Sequence, residues 1–258
     1  MTEIKLYGYA NSPFVRKTTC FLFYKGLDFT HIPVDPIKPK KTIAFTHKSQ
    51  VPVLQIGEDW KLESSDHAYW LDEMFPEKPL CPSAHRTEIE TVDDWISQTF
   101  LLIIFRPAID GKLNLNFLRR GWRLAKLMNT NSPVPPHIRF LWPFVIRKVP
   151  FIQNMAQHMD LSEPPIVMAK RIQAELIEHI GEGPYLAGME EPTMLDFAIY
   201  PNMIWGPMFG LAPNLGIGEH PIIKAWLRSV AKHMPDNPSL TPDSICLLYT
   251  SPSPRDRG

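Results

Sequence analysis

The chain has little of what usually assigns a protein to a class at sight. Its 258 residues carry no net charge, 27 Asp and Glu against 27 Lys and Arg, so nothing in the overall balance points to nucleic acid as a partner. Its three cysteines, Cys20, Cys81 and Cys246, form neither a C-x-x-C pair nor the spacing of a metal site. An odd number also argues against a disulfide framework. No uncharged apolar run approaches the ~18 residues that span a bilayer. The start, Met1-Thr2-Glu3-Ile4, has neither the basic nor the apolar region of a signal peptide. A cytoplasmic protein is the expectation. Hydrophobic content of 44% and charged content of 21% suit one large globular domain or two small ones.

Proline is abundant. The 27 prolines are about twice the usual share, and they cluster. Pro76, Pro79 and Pro82 read as a linker, Pro133, Pro135 and Pro136 as a break between helices, and Pro235, Pro238, Pro242, Pro252 and Pro254 as marks of a tail. The punctuation predicts a first unit over 1–76, a linker over 77–84, a second unit over 85–234 and a tail over 235–258. In the first unit, 4–9 reads as a buried strand and 13–26 as a helix apolar on one face. Residues 28–34 alternate as a second strand, and 38–47 read as a short helix. Residues 52–56 and 60–63 form a hairpin around Gly57, Glu58 and Asp59, and 64–75 a helix ending before Pro76. The order βαβ, α, ββα predicts a mixed sheet with helices on both faces, a thioredoxin-like α/β domain. After residue 84 no strand is expected. Helices are predicted over 85–106 (stopping at Pro107), 112–129, 138–160, 166–181, 194–205 and 221–234, an all-α second domain. Residues 247–258 carry no periodicity and resemble a translated sequencing adapter. They are read as an assembly artefact, a reading that in-frame genomic sequence would overturn.

Three short motifs carry chemistry. Ser12-Pro13-Phe14 is an ordinary helix start, with Ser at the N-cap and Pro at N1. At the carboxyl end of a strand, though, a helix N-terminus attracts an anion. A bound thiol there would ionise more readily, and the Ser12 hydroxyl could donate to the thiolate. Val51-Pro52 opens an apolar run. A cis bond there would expose the Val51 backbone to an extended peptide, although only ~5–6% of X-Pro bonds are cis. Glu63-Ser64 reads either as a strand end and helix cap, or as a pair that holds an ammonium (Glu63) and a carboxylate (Ser64 and the amides after it), the two charges of a γ-glutamyl group. Thr193 to Asp196 reads as a capping-box variant and is structural.

On these residues the chain resembles the cytosolic glutathione S-transferases, of the serine- or cysteine-type classes such as tau and omega. The segment from Leu6 to Arg16 is similar to the family's first strand and active-site turn. Gln50-Val51-Pro52-Val53-Leu54 resembles its cis-proline motif, and Glu63-Ser64 its γ-glutamyl site. The stretches 183–188, 192–198 and 220–226 resemble second-domain signatures. The resemblance implies a thioredoxin-like domain followed by an all-α domain, glutathione as co-substrate, a small hydrophobic electrophile and a homodimer. It implies Ser12 as the thiolate-stabilising residue, and Phe14, Gln50, Val51, Pro52, Glu63 and Ser64 as glutathione contacts. One of Lys38, Lys40 and Lys41 would reach the glycine carboxylate. Gly8 stands where tyrosine-type classes keep their catalytic tyrosine. Position 12 is not cysteine, which disfavours thiol-transferase chemistry. No metal is implied, and His137, His158 and His179 read as structural or surface residues.

The stretch 107–162 departs from the family pattern. Residues 111–150 contain no Asp or Glu, while Lys112, Arg119, Arg120, Arg123, Lys126, Arg139, Arg147 and Lys148 give it a charge of +8. The favoured reading is a solvated basic face neutralised by acids such as Glu88, Glu90, Asp93 and Asp94. The alternatives are an anionic-substrate wall, or a peripheral membrane patch in which 139–148 presents apolar residues between Arg139 and Arg147. The electrophile's walls are expected on 95–106 and 112–128. Beside the transferase stand two other functions: a non-catalytic glutathione-fold protein that binds a partner or a membrane surface, and a glutathione-dependent isomerase or dehalogenase.

Overall fold

In this computed structural model, residues 2–9, 12–35, 38–110, 113–131, 135–208, 215–234 and 237 are described, without the side chains of 128–131 and 206–208. Apart from Asn237, the tail expected from residue 235, including 247–258, lies outside them. Strand Ile4–Gly8 (β1) alternates buried and half-buried side chains. Pro13–Lys25 (α1) leads to Thr30–Pro33 (β2), which runs parallel to β1 with Gly8 opposite Pro33. After the short helix Lys40–Ile43 (α2), Val53–Ile56 (β3) returns antiparallel with Leu54 opposite Leu6, and Asp59–Lys61 (β4) completes a hairpin. The sheet order is β2-β1-β3-β4. Period-two alternation sends Leu6, Leu54 and Ile56 into the main core with α1 and Ser64–Met74 (α3). It sends Tyr7 and Val53 to the other face, against Val34 and Ile43. The thioredoxin-like order expected from the sequence is present.

Beyond residue 85 the regular elements among the described residues are all helical. Besides short 3-10 turns, they are Arg86–Trp95 (α4), a π-helical turn Ile96–Phe100, Leu101–Asp110 (α5), Leu115–Asn131 (α6), Pro136–Val145 (α7), Pro150–Gln157 (α8), Pro165–Ile180 (α9), Met194–Met208 (α10) and Pro221–Ala231 (α11). Two sequence expectations fail here. The helix does not stop at Pro107, because α5 continues to Asp110. An interior proline removes one backbone bond. The turn is held instead by Arg106, whose Nε pairs with Asp110 Oδ2 at 2.6 Å and whose amino groups donate to the carbonyls of Asp160, Leu161 and Glu163. Nor is 138–160 one helix. It is α7, a 3-10 turn at Ile146–Lys148, and α8, interrupted where Val149 is extended ahead of Pro150.

The first helix also differs from its expectation of one apolar face. Arg16, Lys17, Thr18 and Thr19 are as buried as Val15 and Phe21, because α1 lies between the sheet and α10. Burial of polar groups demands partners. Arg16 donates to Asn202 Oδ1 at 2.9 Å, Thr18 meets His67 Nδ1 at 3.0 Å, and Thr19 donates to the Val15 carbonyl at 2.8 Å. Phe197 of α10 closes the apolar side against Phe21 and Tyr24.

The start of α10 follows the capping pattern read at Thr193. Leu195 N–H donates to Thr193 Oγ1 at 3.3 Å, and Thr193 N–H donates to Asp196 Oδ2 at 2.8 Å. Asp196, fully buried, also accepts from Leu186 N–H at 3.0 Å and Trp226 Nε1 at 2.7 Å. It thereby ties the 183–188 turn and α11 to α10. Burial pushes its carboxyl up to about 6, against donors that favour its charged form. The turn itself needs Gly183, where a Cβ would lie 2.5 Å from the carbonyl carbon of Gly188.

Candidate functional site

The site begins where β1 meets α1. A Cβ on Gly8 would lie 2.3 Å from Val15 Cγ2, so α1 docks this closely only because position 8 lacks a side chain. The approach places Ser12 at the N-cap of α1 with extended backbone, its N–H on the Tyr9 carbonyl at 2.9 Å and its carbonyl accepting from Arg16 N–H at 3.0 Å. Ser12 is 7% exposed, and its hydroxyl makes no cap hydrogen bond. The usual task of an N-cap hydroxyl is left undone, at a helix end where donors and partial positive charge favour an anion.

The second edge is built by β3 and α3. The Val51–Pro52 bond is cis. Gln50 donates from Nε2 to Glu63 Oε1 at 2.7 Å, and Glu63 is the extended N-cap of α3. Ser64, buried, opens that helix, whose first amides have no partner within it. Behind it, Lys17 Nζ donates to Ser65 Oγ at 2.9 Å and pairs with Asp93 at 2.9 Å, while Ser65 donates to Asp93 at 2.6 Å. This triad joins α1, α3 and α4. His67, also of α3, is fully buried. Its Nε2 lies 2.9 Å from the Lys61 carbonyl, which requires that nitrogen to carry the proton and leaves Nδ1 to accept from Thr18. Burial pulls the imidazole pKa down to about 4, so the ring is neutral.

One cleft of about 1160 Å³ joins these edges to the helical half, and Ser12, Phe14, Gln50, Val51, Pro52, Glu63 and Ser64 all line it. The candidate lysines Lys38, Lys40 and Lys41 are exposed and do not. Across the cleft, the walls expected on 95–106 and 112–128 are present in Leu101, Ile104, Phe105, Phe117 and Leu124. Phe151 stacks edge-on to both Phe14 and Phe105, with centroids 5.8 and 5.1 Å apart, and so links the two halves.

Sequence reading missed several lining residues. Arg16 is one. Its guanidinium sits 4.2 Å over the Trp205 ring, and burial lowers its pKa to about 9, which leaves it charged at neutral pH. The readable signal was its position one helical turn after Ser12. Another is α7, read only as an outward apolar stretch. It is two-sided: Ile138, Trp142 and Val145 line the cleft, while Phe140, Leu141 and Phe144 are exposed. Of the four acids expected to neutralise the basic segment, three meet other partners: Glu88 lies beside His85, Glu90 pairs with Arg86 and Asp93 with Lys17. Arg147 lies 4.5 Å over the Phe117 ring. Of the three histidines read as structural or surface, His137 and His158 are exposed and His179 packs against Trp95 at 4.3 Å.

Comparison with known proteins bears on the fold. Residues 6–79 match the family model of the glutathione S-transferase N-terminal domain. The structure is similar to a glutathione S-transferase from Rhodospirillum rubrum F11, at 19% identity over 97% of this chain and 94% of that one, with a TM-score of 0.59. It is similar to human glutathione transferase theta-2, solved with glutathione and an unknown ligand, at 18% identity over 95% and 85% of the two chains and a TM-score of 0.57. It is also similar to the β-etherase LigF from Sphingobium sp. strain SYK-6, at 22% identity over 86% and 98% of the two chains and a TM-score of 0.52. No curated protein matches the sequence. The fold is the glutathione transferase fold, and the family match itself is confined to residues 6–79.

Proposed function

We propose that this chain is a glutathione transferase of the serine type, in which Ser12 donates a hydrogen bond to the glutathione thiolate. The observation that carries the reading is the Ser12 hydroxyl: buried, at a helix N-terminus, lining the cleft and not used as a cap. The bound thiol releases its proton to solvent. The thiolate sulfur then bonds to an electrophilic carbon of a small hydrophobic co-substrate, and the leaving group departs with its electron pair. Ser12 keeps its own proton and stabilises the sulfur's charge, with the buried charge of Arg16 adding to a positive field. Glu63 and Ser64 suit the γ-glutamyl end, and Gln50, Val51 and Pro52 the extended peptide. Rate enhancement comes mainly from thiolate stabilisation and from positioning. A homodimer and a cytoplasmic location belong to the same proposal by likeness to the fold's transferases.

The test is conjugation of glutathione to 1-chloro-2,4-dinitrobenzene, with ether-bearing and halogenated electrophiles in the same screen. Conjugate formation that drops about 100-fold in kcat/KM with Ser12→Ala supports the reading. Equal activity in the variant overturns Ser12's role. Turnover without net consumption of glutathione moves the assignment to an isomerase.

A second reading is favoured by exposed Phe140, Leu141 and Phe144, beside Arg139 and Lys148. Such a face suits peripheral contact with an anionic membrane. Co-sedimentation with phosphatidylserine vesicles, lost when Arg139, Arg147 and Lys148 are neutralised, supports it; absence of sedimentation removes it.

A further inference from the structure

The helical wall of the cleft is largely apolar, with Ser97, Asn114 and Asn116 as its neutral polar groups. Its apolar surface comes from Ile104, Phe105, Phe117, Leu124 and Phe151, and among them lies one guanidinium, that of Arg120. Arg120 is half-buried and makes no hydrogen bond or ion pair with any described residue. The other cations lining the cleft are occupied, Lys17 by Asp93 and Ser65, and Arg16 by Asn202 and Trp205. On the same wall the Trp142 indole N–H is buried and has no acceptor among the described residues. Among the described residues the single acid that lines the cleft, Glu63, is on the far side and bonded to Gln50. No acid exists between residues 111 and 150 to satisfy Arg120 locally.

A half-buried cation in a cleft also lined by aromatic residues, with no counter-ion among the described residues, is more favourable when a ligand completes it. From this we infer that the co-substrate is an aromatic electrophile that carries an anionic group, such as a carboxylate, bound by the Arg120 guanidinium while its ring lies among Phe117, Trp142 and Phe151. The inference rests on the proposed function for calling the ligand an electrophile; the anion preference of the wall stands on the geometry alone. Arg120 differs in this from Arg119 and Arg123 on the same helix, which are exposed and do not line the cleft.

The test uses one pair of probes, 4-chloro-3-nitrobenzoate and 4-chloro-3-nitrobenzamide, which differ in charge and little in shape. Quenching of tryptophan fluorescence measures the affinity of each for the whole protein without glutathione. Wild type should prefer the benzoate, and Arg120→Gln should reduce the benzoate-to-benzamide affinity ratio about 10-fold, the size expected for one charge-assisted hydrogen bond. Arg120→Lys should recover part of the ratio, and Arg119→Gln should leave it at the wild-type value. Equal affinity for the two probes in wild type, or an equal ratio in Arg120→Gln, overturns the inference. The same pair is then assayed for conjugation. A preserved binding ratio with neither probe conjugated would overturn the transferase reading and leave the anion site standing.

Discussion

Two helix starts in this molecule carry a hydroxyl ahead of an apolar run. At Thr193 the hydroxyl accepts from Leu195 N–H, and Asp196 takes three further donors, from Leu186, Thr193 and Trp226. At Ser12 the hydroxyl caps nothing, although its residue is nearly as buried. The first start is closed by its own chain and holds the fold together. The second leaves its donor open to a cleft. A side-chain hydroxyl at the same helical position is structural or functional according to whether the backbone consumes it, and the predictions below separate the two.

The largest effect is expected at the closed start. Asp196→Ala leaves three buried N–H groups without an acceptor and should lower unfolding stability by about 3–5 kcal/mol in urea denaturation. A loss below about 1 kcal/mol would mean that the network is not structural. Next is the buried imidazole beneath the open start. His67 has a folded pKa of about 4, below its ordinary value of 6.5. The native state therefore binds fewer protons than the unfolded one between those values. The contribution is complete above pH 6.5 and is lost as pH falls towards 4, by up to about 3 kcal/mol. Urea midpoints at neutral and mildly acidic pH should show this slope, and His67→Gln should flatten it. At the open start, Ser12→Ala should cost about 100-fold in kcat/KM while stability changes by less than about 0.5 kcal/mol, since no cap is lost. The smallest effect is Thr193→Ala, which removes one cap acceptor and should cost about 1 kcal/mol with glutathione affinity kept.

Much of the open start was legible in sequence. Period two in β1 and β3, the Ser12-Pro13 start and the Glu63-Ser64 pair are local signals, and local chemistry decides them. All seven residues implied by the family resemblance line one cleft. What sequence could not reveal depends on partners far along the chain. Arg16 and Lys17 look like solvated positions on a one-sided helix until α10 and Asp93 cover them. Pro107 looks like a stop until Arg106 anchors the turn beyond it through the carbonyls of 160–163. The basic segment looks like one uniform charged face. Only the tertiary structure separates Arg120, which lines the cleft, from its exposed neighbours.

The most direct test of the account is the ultraviolet thiolate absorbance of glutathione bound to wild type and to Ser12→Ala at neutral pH. The account predicts a thiolate signal in wild type that disappears in the variant while binding, followed by calorimetry, is retained. Glutathione bound without a thiolate signal in wild type, or an undiminished signal in Ser12→Ala, would contradict it.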